Sequence, residues 1–124
     1  MTFKTEQEAF WAGEFGKDYI DRNQGDALLA SNLDFFSKAL RATRDIKSCI
    51  EFGANIGMNL KAIQLLHPSI NASAIEINGT AATQLHQVIA SENIHHTSIL
   101  DFEPTKTYDL TLIKGVLIHI NPNE

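Results

Sequence analysis

Cysteine and long apolar runs are both scarce in this sequence, and each scarcity excludes a class of protein. The single cysteine, Cys49, cannot form an intramolecular disulfide, and it lies in an apolar run, which fits a reducing compartment. The N-terminus "MTFKTEQEAF" lacks the apolar stretch of a signal peptide. No run approaches the roughly 18 apolar residues of a transmembrane helix. We therefore expect a soluble, cytoplasmic protein.

Positively charged residues are also few. The 124 residues carry 10 Lys and Arg against 15 Asp and Glu, a formal net charge of −5 at pH 7, and the basic residues are scattered. Nucleic acids and anionic membranes attract proteins through clustered positive charge. We therefore expect no nucleic-acid partner and no membrane partner.

Apolar residues change their spacing along the chain, which predicts an α/β fold. "GDALLASNLDFFSKALRA" has the period of an amphipathic helix, whereas "IKSCIEF", "NASAIEI", "IHHTSI" and "YDLTLIKG" are typical of short strands. The helix "MNLKAIQLLH", ended by Pro68, and the helix "GTAATQLHQVIA", capped by Asn78, alternate with them. This alternation predicts parallel crossovers and a doubly wound sheet. The nearly all-apolar "YDLTLIKG", apart from Thr111, predicts a strand covered on both faces.

The size of the chain and the position of these elements predict one structural domain. Within it, we expect residues 1–45 to form an N-terminal helical cap and residues 46–124 to form the α/β core. The cap opens with a capping-box pattern in "TEQEAFWAGEF", which predicts a short helix, followed by a second helical turn near residues 17–22.

A glycine turn, "IEFGANIGMNL", joins the first predicted strand to the next helix, where open α/β sheets bind their ligands. Gly53 allows a sharp turn and a close approach of backbone to ligand, and Gly57 does the same at the helix entrance. A dinucleotide fingerprint requires Gly-x-Gly-x-x-Gly, but Asn55 and Met58 occupy its second and third glycine positions. A nucleotide-dependent oxidoreductase is therefore disfavoured, and a plain strand-to-helix turn is the structural alternative.

The spacing Glu51-x-Gly53-x-Asn55-x-Gly57 resembles the acidic-x-Gly-x-Gly-x-Gly loop of Rossmann-like S-adenosylmethionine-dependent methyltransferases. That resemblance makes Glu51, Gly53, Ala54, Asn55 and Gly57 candidate cofactor-binding residues.

The second predicted strand ends in Glu76, 23 residues after Gly53. A carboxylate at this place can accept both hydroxyls of a ribose. Ile77 beside it would offer an apolar face to an adenine ring. Taken alone, Glu76 is better explained as a solvated residue at a strand end, but its combination with the glycine turn favours the cofactor.

The third predicted strand ends in "TSILDF". In methyltransferases this place contacts the edge of the adenine, with a side-chain oxygen meeting the exocyclic amine and a backbone N–H meeting a ring nitrogen. The resemblance therefore assigns Ser98 and Ile99 to these contacts, with Asp101 close enough to substitute. An ordinary polar loop is the alternative for Ser98.

Three stretches together, "TEQEAFWAGEFGKDYIDRN", "FGANIGMNL" and "KGVLIHINP", resemble the pseudaminic acid biosynthesis-associated methylases, bacterial proteins found with genes for nonulosonic sugars. Asn55 belongs to that family's pattern. The resemblance implies a class I methyltransferase that uses S-adenosylmethionine and methylates a sugar-derived small molecule. It also implies a Rossmann-like three-layer sandwich with a mostly parallel sheet in the order 3-2-1-4, whose later strands are missing here.

The resemblance also suggests roles near both ends of the chain. His119 is the candidate general base for a hydroxyl acceptor, although a lone histidine after an apolar run is more often structural. Lys114 and Gly115 would contact the methionine portion of the cofactor. Trp11 and Tyr19 would cover its sulfonium, and Arg22 would meet its carboxylate. The alternative for these aromatic residues is packing on the core. The resemblance thus adds six site candidates near the ends of the chain: His119, Lys114, Gly115, Trp11, Tyr19 and Arg22.

The final residues, "NPNE", have the pattern of a helix start, which predicts that the chain is a fragment of a longer protein, with a frayed polar tail as the alternative. A truncated S-adenosylmethionine-binding module without activity is therefore an alternative function. The fourth strand would then lack its usual neighbour, and we expect its exposed edge to cause a homodimer, aggregation or poor solubility. No metal site is expected, because the adjacent His95 and His96 would point to opposite faces of a strand and no further ligands are suitably spaced.

Overall fold

Helices and strands alternate along the chain in the computed structural model, which describes residues 25–43 and 45–113. The elements are α1 (Asp26–Ala39), β1 (Ser48–Phe52), α2 (Met58–Leu66), β2 (Asn71–Ile75), α3 (Gly79–Leu85), β3 (Ile94–His95) and β4 (Leu110–Ile113). A single 3-10 turn, Ser91–Asn93, precedes β3. The predicted helices of residues 5–22 lie outside the described residues.

The four strands form one parallel sheet in the order β3-β2-β1-β4, which confirms the predicted order 3-2-1-4. The last positions of the strands are in register as one row across the sheet. Phe52 pairs with Ile75 and with Ile113, and Ile75 pairs with His95. Because alternate residues of a strand share a face, all four side chains of this row lie on the same face. The carboxyl ends of the strands meet just beyond it.

The other face of the sheet carries the main hydrophobic core. Cys49, Ala72 and Ala74 are buried there with residues of all three helices, and Leu110 and Leu112 of β4 pack against them. Helix α1 contributes Leu29, Leu33 and Phe36, as its apolar period predicts; α2 contributes Leu60, Ala62 and Ile63; and α3 contributes Leu85. Helix α2 ends at Leu66, just before Pro68, which also agrees with the sequence.

The largest differences from the predicted element lengths are in α3 and β3. Helix α3 stops at Leu85 instead of residue 90, because the following N–H groups of His86, Gln87 and Val88 bond three residues back in tighter 3-10 geometry. Ile89 remains buried nonetheless. Strand β3 contains only Ile94 and His95.

The prediction that β4 is covered on both faces is wrong for its described residues. Thr111 is exposed and Ile113 is 46% exposed, whereas Leu110 and Leu112 pack on the core. Strand β4 pairs with β1, and within residues 25–43 and 45–113 no strand pairs with its other edge. None of the helices in this part of the chain is long and apolar enough to cross a membrane.

Candidate functional site

The turn between β1 and α2 has three residues with positive φ. They are Gly53 at 73°, Asn55 at 55° and Gly57 at 87°. Left-handed backbone costs most residues about 1–2 kcal/mol, whereas glycine adopts it freely and asparagine tolerates it well. Asn55 therefore stands where a glycine would be expected because its side chain is one of the few that this conformation accepts.

The turn is fixed to the end of the neighbouring strand β2. The backbone N–H groups of Gly53 and Ala54 both donate to the carbonyl oxygen of Ile75, over 2.8 and 3.1 Å. Gly57 lies against α3, where a Cβ atom would come within 2.8 Å of Leu85 Cδ2. Gly57 therefore serves both the backbone geometry and the close packing of the turn on α3.

Glu76 links the turn to the beginning of α3. Its Oε1 accepts a hydrogen bond from the Asn55 backbone N–H over 2.7 Å, and its Oε2 accepts one from the Asn78 N–H over 2.8 Å. Glu76 is 8% exposed, and burial raises the pKa of its carboxyl group, while these backbone hydrogen bonds act in the opposite direction. A carboxylate offers about four lone-pair sites, so these two bonds leave acceptor capacity for a ligand.

The start of α3 is built by two further hydrogen bonds. Asn78 Oδ1 accepts the Ala81 N–H over 3.0 Å, which confirms the predicted cap. The carbonyl oxygen of Ile77 lies 3.1 Å from His96 Nε2. Ile77 is half-buried, so part of its side chain is accessible next to Glu76.

Glu51 and Asn59 form a second link across the glycine turn. Asn59 Nδ2 donates to Glu51 Oε2 over 2.7 Å, and Glu51 is only 1% exposed. The bond joins the end of β1 to the first turn of α2. A negative charge near a helix N-terminus is also stabilised by the helix dipole. The sequence analysis did not single out Asn59, because an asparagine in a first helical turn has no distinctive spacing.

The residues after β3 form a compact polar turn. Ser98 is 2% exposed; its Oγ accepts the Leu100 N–H over 3.0 Å, and its carbonyl oxygen accepts the Asp101 N–H over 3.1 Å. Ile99 is half-buried and Asp101 is exposed. We call residues Ser98–Asp101 the Ser98 turn.

Phe102, directly after the Ser98 turn, was also missed by sequence reasoning. Its ring centroid lies 4.9 Å from that of His95 and 6.0 Å from that of Phe52. Burial and the nearby Lys106 lower the pKa of His95. No spacing in the sequence indicates this cluster, because it depends on the register of three strands.

The sheet brings most of the predicted site residues to one edge. Glu51 lies near the end of β1 and the glycine turn follows that strand. Glu76 and Ile77 follow β2, and the Ser98 turn follows β3, so all are at the carboxyl ends of parallel strands. Ligands of open α/β sheets bind at this edge. Within residues 25–43 and 45–113, no group of three or more His, Cys, Asp or Glu could hold a metal ion. The remaining candidates lie outside the described residues: Trp11, Tyr19, Arg22, Lys114, Gly115 and His119.

Comparison with solved structures finds the same fold in methyltransferases. The plantazolicin methyltransferase BpumL, in complex with S-adenosylhomocysteine (SAH), matches with a TM-score of 0.64 and 21% identity, over 86% of this chain and 44% of that chain. The sugar N-methyltransferase KedS8 from Streptoalloteichus sp. ATCC 53650 matches with a TM-score of 0.60 and 14% identity, over 82% and 40%. CalS10, an amino pentose methyltransferase from Micromonospora echinaspora, matches with a TM-score of 0.59 and 15% identity, over 80% and 40%.

These likenesses show the fold. The described residues share the α/β fold of these solved methyltransferases, with a parallel sheet in the order 3-2-1-4. It spans less than half the length of these solved structures. No protein-family model matches the sequence, and no curated protein matches it.

Proposed function

We propose that this chain binds S-adenosylmethionine and serves as the cofactor-binding part of a small-molecule methyltransferase. The observation that carries the proposal is the hydrogen bond between Glu76 and the Asn55 backbone. It joins the acidic end of β2 and the glycine turn after β1 into one unit at the ligand-binding edge of the sheet. A cofactor with a ribose and a charged amino-acid portion fits this unit. The Glu76 carboxyl group can accept hydrogen bonds from the ribose hydroxyls, and the glycine turn lets a ligand approach the backbone closely.

Each part of the site has a proposed contact with the cofactor. Glu76 accepts the ribose hydroxyls with its remaining lone pairs, and Ile77 lies against the adenine. The Ser98 turn meets the adenine edge, with Asp101 as a further acceptor. The glycine turn, from Gly53 to Gly57, approaches the methionine portion. Outside the described residues, Lys114 and Gly115 would also contact that portion.

The proposed reaction is the transfer of one methyl group by in-line displacement. Bound S-adenosylmethionine supplies an electrophilic methyl group, and the chain's own residues align the two reactants and exclude water. His119 is proposed to take the proton of a hydroxyl acceptor. Trp11 and Tyr19 are proposed to cover the sulfonium, with Arg22 on the carboxylate.

A sugar-derived acceptor is the proposed substrate. Two observations support it: the resemblance of the sequence to the pseudaminic acid biosynthesis-associated methylases, and the likeness of the fold to KedS8 and CalS10, which are named as methyltransferases of a sugar and an amino pentose. A cytoplasmic location is part of the same proposal, since activated sugars and S-adenosylmethionine would then share a compartment.

A homodimer through the edge of β4 is also proposed. Ile113 is 46% exposed, and within the described residues the second edge of β4 has no strand beside it. An apolar strand edge readily pairs with another copy. Light scattering should find a dimer; a monodisperse, stable monomer would contradict this part of the proposal.

Calorimetric titration of the full chain tests cofactor binding. We expect heat on addition of S-adenosylhomocysteine and none on addition of NAD, because Asn55 and Met58 replace glycines of the dinucleotide fingerprint. No heat from S-adenosylhomocysteine together with clear heat from NAD would overturn the proposal. Binding without methyl transfer to any sugar would identify a binding module instead of an enzyme.

A further inference from the structure

Phe102 is held between two strands on the face of the sheet opposite the main core. Its ring lies 4.9 Å from the ring of His95 on β3 and 6.0 Å from that of Phe52 on β1, the latter at an interplanar angle of 77°. Aromatic rings attract each other at these separations, and edge-to-face pairs do so beyond the effect of area burial alone. Phe102 therefore anchors the connection between β3 and β4, residues 96–109, to the sheet.

The anchor spans the last row of the sheet. Ile75 of β2 pairs with Phe52 on one side and with His95 on the other, and Ile75 is 0% exposed. The Phe102 ring thus contacts the side chains on both sides of Ile75 in this row. The carbonyl oxygen of Ile75 also accepts the N–H groups of Gly53 and Ala54. Ile75 thus holds the glycine turn through its backbone, and the two residues paired with it carry the rings that Phe102 contacts.

The Ser98 turn is fixed at both of its ends. At its start, the Thr97 N–H donates to the His95 carbonyl oxygen over 3.0 Å. At its end, Phe102 returns to the ring of the same His95. Between them, the hydroxyl and the carbonyl of Ser98 hold the turn with two hydrogen bonds. The position of the turn relative to β2 therefore depends on the Phe102 ring.

We propose that Phe102 is a positioning residue that sets the base specificity of the cofactor site. By fixing the Ser98 turn at the sheet edge, it holds the turn where it distinguishes a purine with a 6-amino group from one with a 6-oxo group. The inference rests on the proposed function. It goes beyond that function by assigning the discrimination to a side chain that does not touch the cofactor.

The test compares S-adenosylhomocysteine with S-inosylhomocysteine, whose base carries a 6-oxo group in place of the 6-amino group and an N1–H donor in place of the N1 acceptor. We expect the wild-type chain to bind the adenosyl compound at least about tenfold more tightly, the value of one well-placed hydrogen bond. Phe102→Ala should reduce this preference to less than about threefold, because the turn loses its anchor. Phe102→Tyr, which keeps the ring, should retain it. The matched control is Phe35→Ala, which removes an aromatic ring that is 52% exposed on α1.

The ratio of the two affinities distinguishes a positioning role of Phe102 from a role in fold stability alone. A general loss of stability weakens both ligands alike and leaves their ratio unchanged. A Phe102→Ala protein that keeps the tenfold preference would overturn the inference, as would a Phe35→Ala protein that loses it. If Phe102→Ala does not fold by circular dichroism, Phe102→Leu supplies the same comparison. A wild-type chain that binds both ligands equally overturns this inference alone, whereas one that binds neither overturns the proposed function as well.

Discussion

Glu76 and Asn55 are joined by a 2.7 Å hydrogen bond in which the carboxylate of one accepts the backbone N–H of the other. The bond fixes a residue with left-handed backbone, φ 55°, by means of a buried carboxyl group directly after β2. A residue proposed to bind the ribose therefore also shapes the turn proposed to bind the methionine portion. Changes at Glu76 should consequently affect the whole cofactor site.

Glu76→Gln tests this double role. The amide keeps the shape of the side chain but turns one acceptor into a donor, which then faces a backbone N–H of Asn55 or Asn78. Hydrogen bonds to charged groups are worth about 1.5–3 kcal/mol, so we expect affinity for S-adenosylhomocysteine to fall roughly tenfold to a hundredfold. Calorimetry measures it, with the exposed Glu92→Gln as control. Wild-type affinity in a folded Glu76→Gln protein would contradict the prediction.

Gly57→Ala should destabilise the fold by roughly 2–4 kcal/mol, since it combines left-handed backbone with a Cβ atom 2.8 Å from Leu85. Two other glycines separate these causes. Gly25 has φ +124° with nothing within 4 Å, so Gly25→Ala measures backbone strain alone. Gly79 has only ordinary contacts, so Gly79→Ala should stabilise by about 0.5 kcal/mol. Urea denaturation gives all three values; a cost at Gly57 no larger than the roughly 1–2 kcal/mol of left-handed backbone alone would contradict the packing argument.

The sequence predicted those parts of the fold that depend on local pattern. The parallel strands around "SCIEF" and "NASAI", the amphipathic helix α1 and the cap of α3 by Asn78 all follow from periodicity and side-chain chemistry, and all are present. The glycine turn and Glu76 were placed at the sheet edge for the same reason. Each of these features is determined by residues close to one another in sequence.

The features that were missed depend on contacts between distant segments. The spacing of apolar residues predicted that β3 extends to residue 99. In the structure, the hydroxyl and carbonyl oxygens of Ser98 accept hydrogen bonds from following N–H groups, and the backbone turns away from the sheet. The exposure of Thr111 and Ile113 depends on which elements cover β4. The contact of Phe102 with Phe52 depends on strand register. None of these can be read from local spacing.

Asn59→Asp should destabilise the protein at neutral pH. The substitution replaces the amide that donates to the buried Glu51 carboxylate with a second carboxylate at hydrogen-bond distance. Removing a donor from a buried charge costs about 1–3 kcal/mol, and like-charge repulsion adds to it. Stability should recover as pH falls, because protonation of one carboxyl group lets the pair share a hydrogen bond. The measurement is urea denaturation at several pH values.

The control for this prediction is Asn93→Asp. Asn93 Nδ2 donates to Asn71 Oδ1 over 2.8 Å in an exposed pair of uncharged side chains. Water can replace that bond, so the expected cost is below about 1 kcal/mol. Equal losses at Asn59 and Asn93 would show that the Glu51–Asn59 bond does not hold the turn.

His95 should make stability depend on pH below its ordinary pKa of 6.5. Burial of the ring and the nearby Lys106 lower the pKa of His95 in the folded chain. As pH falls through 6.5, the unfolded chain binds a proton that the folded chain does not yet bind, so the free energy of unfolding decreases. The contribution of the neutral His95 to stability is fully present above pH 6.5. It is lost as the pH falls toward the lower pKa that His95 has in the folded chain. Glu76 acts in the opposite direction, because burial raises its pKa.

A comparison with His95→Gln isolates the histidine from Glu76. Urea denaturation of both proteins between about pH 5 and pH 8 gives two curves, and their difference removes every group that they share. The wild type should lose stability more steeply on acidification. Lys106→Ala should lie between them, since loss of the positive charge lets the pKa of His95 rise toward 6.5. Parallel curves for wild type and His95→Gln would show that Phe102 and the sheet do not hold this ring in its neutral form.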